Sequence, residues 1–326
     1  MKYVIEWVLT AIVVTLVSTY ITINIEKTKE IVAPDIHKPD KPRIPKTAGP
    51  AFITTLLAGL VLSLTSNMVL VAYHILAAII AGVIGLYDDF KGLRALWKVA
   101  LLTLPSLPVL IGVAYIPRPH VPLVGLLRIH IVYPLLLPLA YTVSINAYNM
   151  VDTHNGIAAT AALTSSIALL ISAAIDGPQP LDSGPVFALF VVSLLISYLP
   201  FNIYPSKIFN GNSGSFILGS LVASQAILLR REYLALMLHI PLIINGFSIL
   251  ASIGGFKNKE SIPRPVILTE DVKITPNTSR KTPVTLVQLL VLKNPLTEKD
   301  LVKTYSLLIF LNTVLSLITY YILTRV

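Results

Sequence analysis

The 326-residue chain contains no cysteine, so it can build neither a disulfide framework nor a thiolate metal site. Charge is scarce as well: Asp, Glu, Lys and Arg make up 13% of the residues, against 55% that are hydrophobic. A soluble domain of this length has too little interior to hide so much apolar surface, and the mean hydropathy of +0.78 points the same way. No internal repeat is evident, which argues against an inverted-repeat transporter. The missing cysteines fix no cellular compartment.

What is present is a series of apolar runs about 17–22 residues long, enough to cross a hydrocarbon core of ~30 Å. Ten spans are predicted, at about 3–24, 50–66, 68–87, 97–115, 129–148, 157–175, 184–200, 214–229, 233–253 and 304–323. The fold class expected is an all-α integral membrane bundle, one polytopic domain over 1–326 with a long polar loop at 254–303. The first run ends in Ile-Thr-Ile-Asn-Ile-Glu-Lys without a small-residue cleavage site, so it reads as a retained span rather than a signal peptide.

With ten spans, 19 of the 25 Lys and Arg residues fall on one side, in the segments 25–49, 88–98, 201–213 and 254–303. Positive charge stays inside, so these loops are expected in the cytoplasm, with both termini outside and the chain in the plasma membrane. The same asymmetry accounts for the net charge of +9 without nucleic acid as a partner. Asn277-Thr278-Ser279 matches a glycosylation sequon but lies on the cytoplasmic side and is discounted.

Three polar motifs lie at helix ends on that side. The first is Gly85-Leu86-Tyr87-Asp88-Asp89-Phe90-Lys91-Gly92-Leu93. Adjacent carboxylates on a helix point about 100° apart, so one can face a metal or substrate while the other faces a neighbouring loop. A solvated helix end is the plainer reading of this pair. The second motif runs from Asn146 to Gly156, with Asn146, Asn149 and Asp152 recurring every three residues along one helix face. A polar stripe entering a membrane segment is costly unless it meets protein, water or ligand, and bonding between helices alone would also satisfy it. His154 beside that helix end reads as incidental or as a ligand or base. The third runs from Phe201 to Ser215, where Gly211 and Gly214 let backbone approach a ligand closely. The span that follows presents a helix N-terminus, a natural anion site, with a simple tight turn as the alternative. Few carboxylates, many amides, a glycine turn and basic loops together suit a magnesium–diphosphate ligand.

In order and spacing these motifs resemble the polyprenyl-phosphate N-acetylhexosamine-1-phosphate transferases, over a stretch from about Asp35 to Arg264. The Ile262-Pro263-Arg264 element is most similar to the archaeal and eukaryotic branch that uses UDP-GlcNAc and dolichyl phosphate. The resemblance implies a ten-span bundle with a cytoplasmic magnesium site, or manganese in its place, and a homodimer. Asp88 and Asp89 match the family's aspartate pair, and Asn149, Asp152 and Asn155 match its Asn-x-x-Asp-x-x-Asp/Asn segment. Asn202, Pro205, Phe209, Gly211 and Asn212 match its Asn-x-x-Pro and Phe-x-Gly-Asp elements, and Asp35-Ile-His-Lys38 resembles the segment at the first cytoplasmic loop.

The activity so implied is transfer of GlcNAc-1-phosphate from UDP-GlcNAc to a polyprenyl phosphate, with release of UMP. In this assignment Asp89 or Asp152 holds the metal, with Asn212 as a weaker ligand, and Asp88 deprotonates or orients the carrier phosphate. Asn149, Asn155, Asn202 and Phe209 position uridine and diphosphate. Lys38, Lys207 and Arg264 contact phosphate, with membrane-surface charge as the alternative for these three. Two positions depart from the family: Asn212 stands where an Asp is usual, and Lys257, Lys259, Glu260 and Ser261 stand where a His/Arg cluster is usual. Weaker metal binding is expected from the first. Other readings left open are a catalytically weakened or silent family member, and a transporter or flippase of phosphorylated solutes. The transporter reading calls for ionisable groups near the bilayer midplane, where the sequence offers little besides His74.

Overall fold

A computed structural model describes residues 2–176, 183–257, 262–279 and 282–325. Twelve helices account for most of them: α1 (Lys2–Thr28), α2 (Gly49–Thr65), α3 (Val69–Lys91), α4 (Ala95–Leu101), α5 (Ser106–Ile111), α6 (Val132–Val151), α7 (Ile157–Asp176), α8 (Gly184–Asn202), α9 (Gly211–Leu229), α10 (Glu232–Ile253), α11 (Leu286–Leu290) and α12 (Glu298–Arg325). Among the described residues seven of these, α1, α3, α7, α8, α9, α10 and α12, are long and apolar enough to cross a membrane. Shorter or more polar helices, α2, the α4–α5 pair and α6, fall on the remaining predicted spans. The protein is therefore of the all-α membrane class.

Proline explains several boundaries. Helices α2 and α8 each open with Gly-Pro, where the missing proline N–H would be unpaired anyway. The predicted span 97–115 is broken between α4 and α5, because Pro105 and Pro108 withdraw two backbone donors from its middle. Other helices overrun the apolar runs that signal them. Helix α6 continues to Val151, so Asn149 stays helical and Asp152 becomes its C-cap. Helix α9 begins at Gly211, three residues before the predicted start, and α12 begins at Glu298, six residues before.

Helix α9 is the centre of the bundle: every residue from Ser213 to Leu229 is buried. It packs on α2, α3, α6, α7, α8 and α10. Close approach to α3 depends on Gly85, where a Cβ would lie 2.4 Å from the Ser213 Cα. Small residues at such crossings are how helices associate where water provides no driving force. One set of polar groups within the bundle is mutually satisfied. The His74 ring meets the Ala114 carbonyl at 2.9 Å and the Tyr141 hydroxyl at 3.2 Å, and Tyr141 meets Ser224 at 2.8 Å. His74 is thus a sealed packing element.

Three two-stranded antiparallel hairpins join the helices: β1 (Val32–Pro34) with β2 (Arg43–Pro45), β3 (His120–Val121) with β4 (Gly125–Leu126), and β5 (Val266–Leu268) with β6 (Ile274–Pro276). The long segment between α10 and α12 is not a bare linker. It holds β5, β6 and α11, and it is tied to α10 by Leu286 N–H to Asn245 Oδ1 at 2.9 Å and Val284 N–H to Ser252 Oγ at 2.9 Å. Of the residues where the His/Arg cluster is usual, Lys259, Glu260 and Ser261 lie outside the described residues.

Candidate active site

The C-terminal ends of α1, α3, α6 and α8 meet the N-terminus of α9 at one end of the bundle. There the Asp89 carboxylate, on α3, takes the first amides of α9: Oδ1 accepts Asn212 N–H at 2.7 Å, and Oδ2 accepts Ser213 N–H at 3.0 Å and Ser213 Oγ–H at 2.8 Å. A carboxylate is the natural cap for the positive end of a helix dipole. The open anion site expected at this helix end is therefore already filled, from within the chain. Asp88 turns the other way. Its Oδ1 accepts Leu93 N–H at 2.7 Å and its Oδ2 lies 2.5 Å from the Lys98 ammonium.

The amide stripe on α6 divides. Asn146 bonds back to Thr142 O within its own helix and leaves the site. Asn149 donates from Nδ2 to Asn212 Oδ1 and to Ser215 Oγ, both at 2.9 Å. Asp152 Oδ1 accepts Asn210 Nδ2–H at 2.7 Å, and Asn210 Oδ1 accepts the Tyr198 hydroxyl at 2.6 Å. Loop residues before α2 close over this end: Thr47 donates to Asn210 O at 3.1 Å, touches Ser213 Oγ, and is held by Glu26 Oε2 at 3.1 Å through its own N–H. Lys46 Nζ donates to Asp89 O at 2.5 Å. Gly211 sits at φ +63, and a Cβ there would lie 2.7 Å from Thr47 Oγ1 and 2.8 Å from Asp89 Oδ2, so glycine is required on both counts.

A second polar cluster adjoins the first across the turn after α6. Asn155 Nδ2 donates to Asp35 Oδ2 at 3.2 Å, and Asp35 forms a close ion pair with Lys38. The Lys38 ammonium also lies 3.7 Å from Glu298 and 5.0 Å above the Tyr204 ring. His37 stacks on His154 with ring centroids 4.3 Å apart. Burial, which penalises the charged ring, pushes both imidazoles below their ordinary 6.5, His154 well below. For His37 the Asp35 carboxylate pulls upward, while the Arg264 and Lys38 charges push further down. Arg264 itself is exposed, and its backbone oxygen accepts Asn277 Nδ2–H at 2.9 Å.

The remaining expected residues have other surroundings. Asn202 Nδ2 donates to Ile208 O at 2.9 Å and shapes the α8–α9 turn. Half-buried Phe209 fixes that turn to β2 through its N–H and Pro45 O at 2.9 Å. Lys207 is exposed and tied in through its backbone N–H to Phe201 O. Among the described residues no three His, Asp or Glu side chains form a group that could hold a metal ion. A cation here would draw on no more than two carboxylates, with amide, water or substrate oxygens completing its shell.

The chain matches the model of glycosyl transferase family 4 over residues 71–230, a stretch that runs from α3 to the end of α9 and holds all three motifs. Similar curated proteins carry transferase names. One from Sulfolobus acidocaldarius, provisionally described as a UDP-N-acetylglucosamine–dolichyl-phosphate N-acetylglucosaminephosphotransferase, is 28% identical over 245 residues, 73% of this chain and 74% of that one. Over residues 71–230, just under half of its length, the chain is similar to glycosyl transferase family 4. A phospho-N-acetylmuramoyl-pentapeptide-transferase of Wolinella succinogenes is 28% identical over 256 residues, 70% of this chain and 71% of that one. The decaprenyl-phosphate N-acetylglucosaminephosphotransferase of Mycobacterium tuberculosis is 34% identical over 207 residues, 58% of this chain and 50% of that one. These likenesses make the chain an enzyme of the phospho-sugar transferase kind, with Lys38 and Arg264 outside the matched stretch.

Sequence reasoning alone missed the supporting residues Glu26, Thr47, Lys98, Asn210 and Glu298. Only Asn210 carried a usable signal, one position before the glycine that opens α9. Glu26 and Glu298 stand at the ends of apolar runs, where an acidic residue normally reads as solvated.

Proposed function

We propose that the chain transfers GlcNAc-1-phosphate from UDP-GlcNAc to a polyprenyl phosphate of the dolichyl type, at the cytoplasmic face of the plasma membrane. The carrier phosphate oxygen attacks the β-phosphorus, the bond from that phosphorus to the UMP oxygen breaks, and the sugar keeps its anomeric bond. The observation that carries this reading is the network at the start of α9, where Asp89, Asn149, Asp152 and Asn212 are held together by hydrogen bonds of 2.7–2.9 Å to that helix and its cap. The names of the similar proteins supply the substrate class.

The donor set is all oxygen: the carboxylates of Asp89 and Asp152, bonded to the α9 amides and to Asn210, and the side-chain amide oxygen of Asn212. It fits magnesium, which takes one or two protein carboxylates and completes its shell with phosphate oxygens and water. In this reading Asp152 and Asn212 hold the ion, and Asp89 is spent on orienting Asn212 through the helix end. The bound ion would offset negative charge on the diphosphate. Asp88, fixed by Lys98 and Leu93 N–H, faces the incoming carrier phosphate. That phosphate is already largely ionised near neutral pH, so orientation matters more than proton removal. Lys98, Lys38 and Arg264 supply positive charge, and Asn155, Phe209 and the Gly211 backbone border the nucleotide. Positioning and charge neutralisation carry most of such a barrier.

The test is turnover by purified protein supplied with dolichyl phosphate, magnesium and UDP-GlcNAc labelled in the uridine. Lipid-dependent release of labelled UMP is expected, and its absence would overturn the assignment. One observation favours a second reading, a weakened family member: Asn212 brings no negative charge, and its oxygen is already engaged by Asn149. Slow but lipid-dependent turnover is the outcome that reading expects.

A further inference from the structure

Glu298 opens α12, remote in sequence from every motif. Its side chain is buried, 4% exposed, and neither carboxylate oxygen has a well-formed hydrogen bond. The ammonium of Lys38 lies 3.7 Å away, but Lys38 already forms a closer pair with Asp35. The backbone N–H of Asn155 is turned toward the same carboxylate, while the side chain of Asn155 is held by Asp35. Two buried carboxylates therefore share one ammonium; one of them bonds the Asn155 side chain and the other lies by the Asn155 backbone.

Such an arrangement is a poor way to gain stability. Burying a second carboxylate against a single lysine costs desolvation that one shared cation repays incompletely. A buried acid kept under those terms is better explained by what it holds in place. Here that is the β1–β2 loop through Lys38, and the α6–α7 turn through Asn155.

We infer that Glu298 is a positioning residue for the transfer proposed above: it draws Lys38 and the Asn155 backbone toward α12 and so fixes the nucleotide-sugar side of the site. The inference rests on the proposed function for its kinetic consequence, but not for its structural one. Glu298 touches no reacting atom in this scheme. It acts through Lys38 and Asn155, and it makes α12, which lies outside the family-matched stretch, part of the active site.

The test compares Glu298→Gln, Glu298→Asp, Lys38→Met and the Glu298→Gln/Lys38→Met double variant with the parent protein in lipid nanodiscs. Backbone hydrogen exchange, thermal midpoint, and KM and kcat for UDP-GlcNAc are measured on each. Glu298→Gln is expected to speed exchange only in segments 35–46 and 149–157, to leave the midpoint near its parent value, and to raise KM about tenfold with kcat within about twofold. Glu298→Asp recovers part of the KM, and the double variant is no worse than the poorer single one, because the two residues act as one unit. Unchanged exchange in both segments, or a lowered midpoint with faster exchange throughout the chain, would overturn the inference. If the parent protein shows no turnover, the proposed function fails, and the exchange comparison still decides the role of Glu298.

Discussion

Asn149 donates its side-chain N–H to the side-chain oxygen of Asn212 at 2.9 Å, joining the end of α6 to the first turn of α9. The pairing works as well with a carboxylate as with an amide at position 212, since only an acceptor oxygen is used. Asn212→Asp is therefore expected to keep the fold and add a negative charge where the cation is proposed to bind. The magnesium concentration for half-maximal rate should fall, by about tenfold if one added charge contributes a charge-assisted contact. Titrating the rate with magnesium checks this. Unchanged magnesium dependence would remove position 212 from the metal.

Asp89 ties α3 to α9 by capping the helix, so its loss should be felt in stability as well as rate. Asp89→Asn keeps one acceptor oxygen in place of two and loses the charge that complements the helix end. A destabilisation of about 1–2 kcal/mol is expected, the usual size of a lost cap. It should appear as a lower thermal midpoint in detergent, and an unchanged midpoint would mean that the cap contributes nothing.

Asp88 and Asp152 differ from Asp89 because neither closes a helix N-terminus. Asp88→Asn and Asp152→Asn are expected to lower turnover by orders of magnitude with the protein still folded. Steady-state rates with matched circular dichroism spectra check this. Near-full activity in both variants would remove these carboxylates from the chemistry.

Gly211 answers two demands, a positive φ and the closeness of Thr47 and Asp89. Gly211→Ala should therefore be destabilised by more than the ~1–2 kcal/mol that a left-handed residue alone costs, and Asp89 should be pushed off the helix end. Thermal unfolding measures the first effect. A midpoint equal to that of the parent would contradict the packing around Gly211.

His37 gives a pH dependence of definite sign. Its folded value lies below the ordinary 6.5, so the unfolded chain takes up a proton first as pH falls. Its contribution to stability is whole above pH 6.5 and is lost as pH drops from there through the folded value. His37→Phe keeps a ring against His154 and cannot titrate. The variant is expected to lose less thermal stability between neutral and mildly acid pH than the parent does, and equal losses would contradict this.

The bundle was legible because membrane spans announce themselves as long apolar runs, and charge patterning needs only counting. What the runs concealed were the polar ends. Helices α6, α9 and α12 extend past their apolar stretches, so Asn149, Asn212 and Glu298 lie on helices where hydropathy suggests loops. The candidate site was legible as three motifs, but not as a network. Asp89 could be placed at a helix end, yet its partner, the start of α9, lies more than a hundred residues away. No local pattern encodes that pairing. Glu26 and Glu298 were hidden for the same reason, since an acid beside an apolar run reads as solvated until the chain that covers it is known.

Lipid-dependent release of UMP from UDP-GlcNAc tests the central claim most directly, measured for the parent protein and for Asp152→Asn in the same membrane preparation. Saturable release that requires dolichyl phosphate and magnesium, and that falls at least about a hundredfold in Asp152→Asn, is the expected result. No release by the parent, or release indifferent to the lipid phosphate and to Asp152, would contradict it.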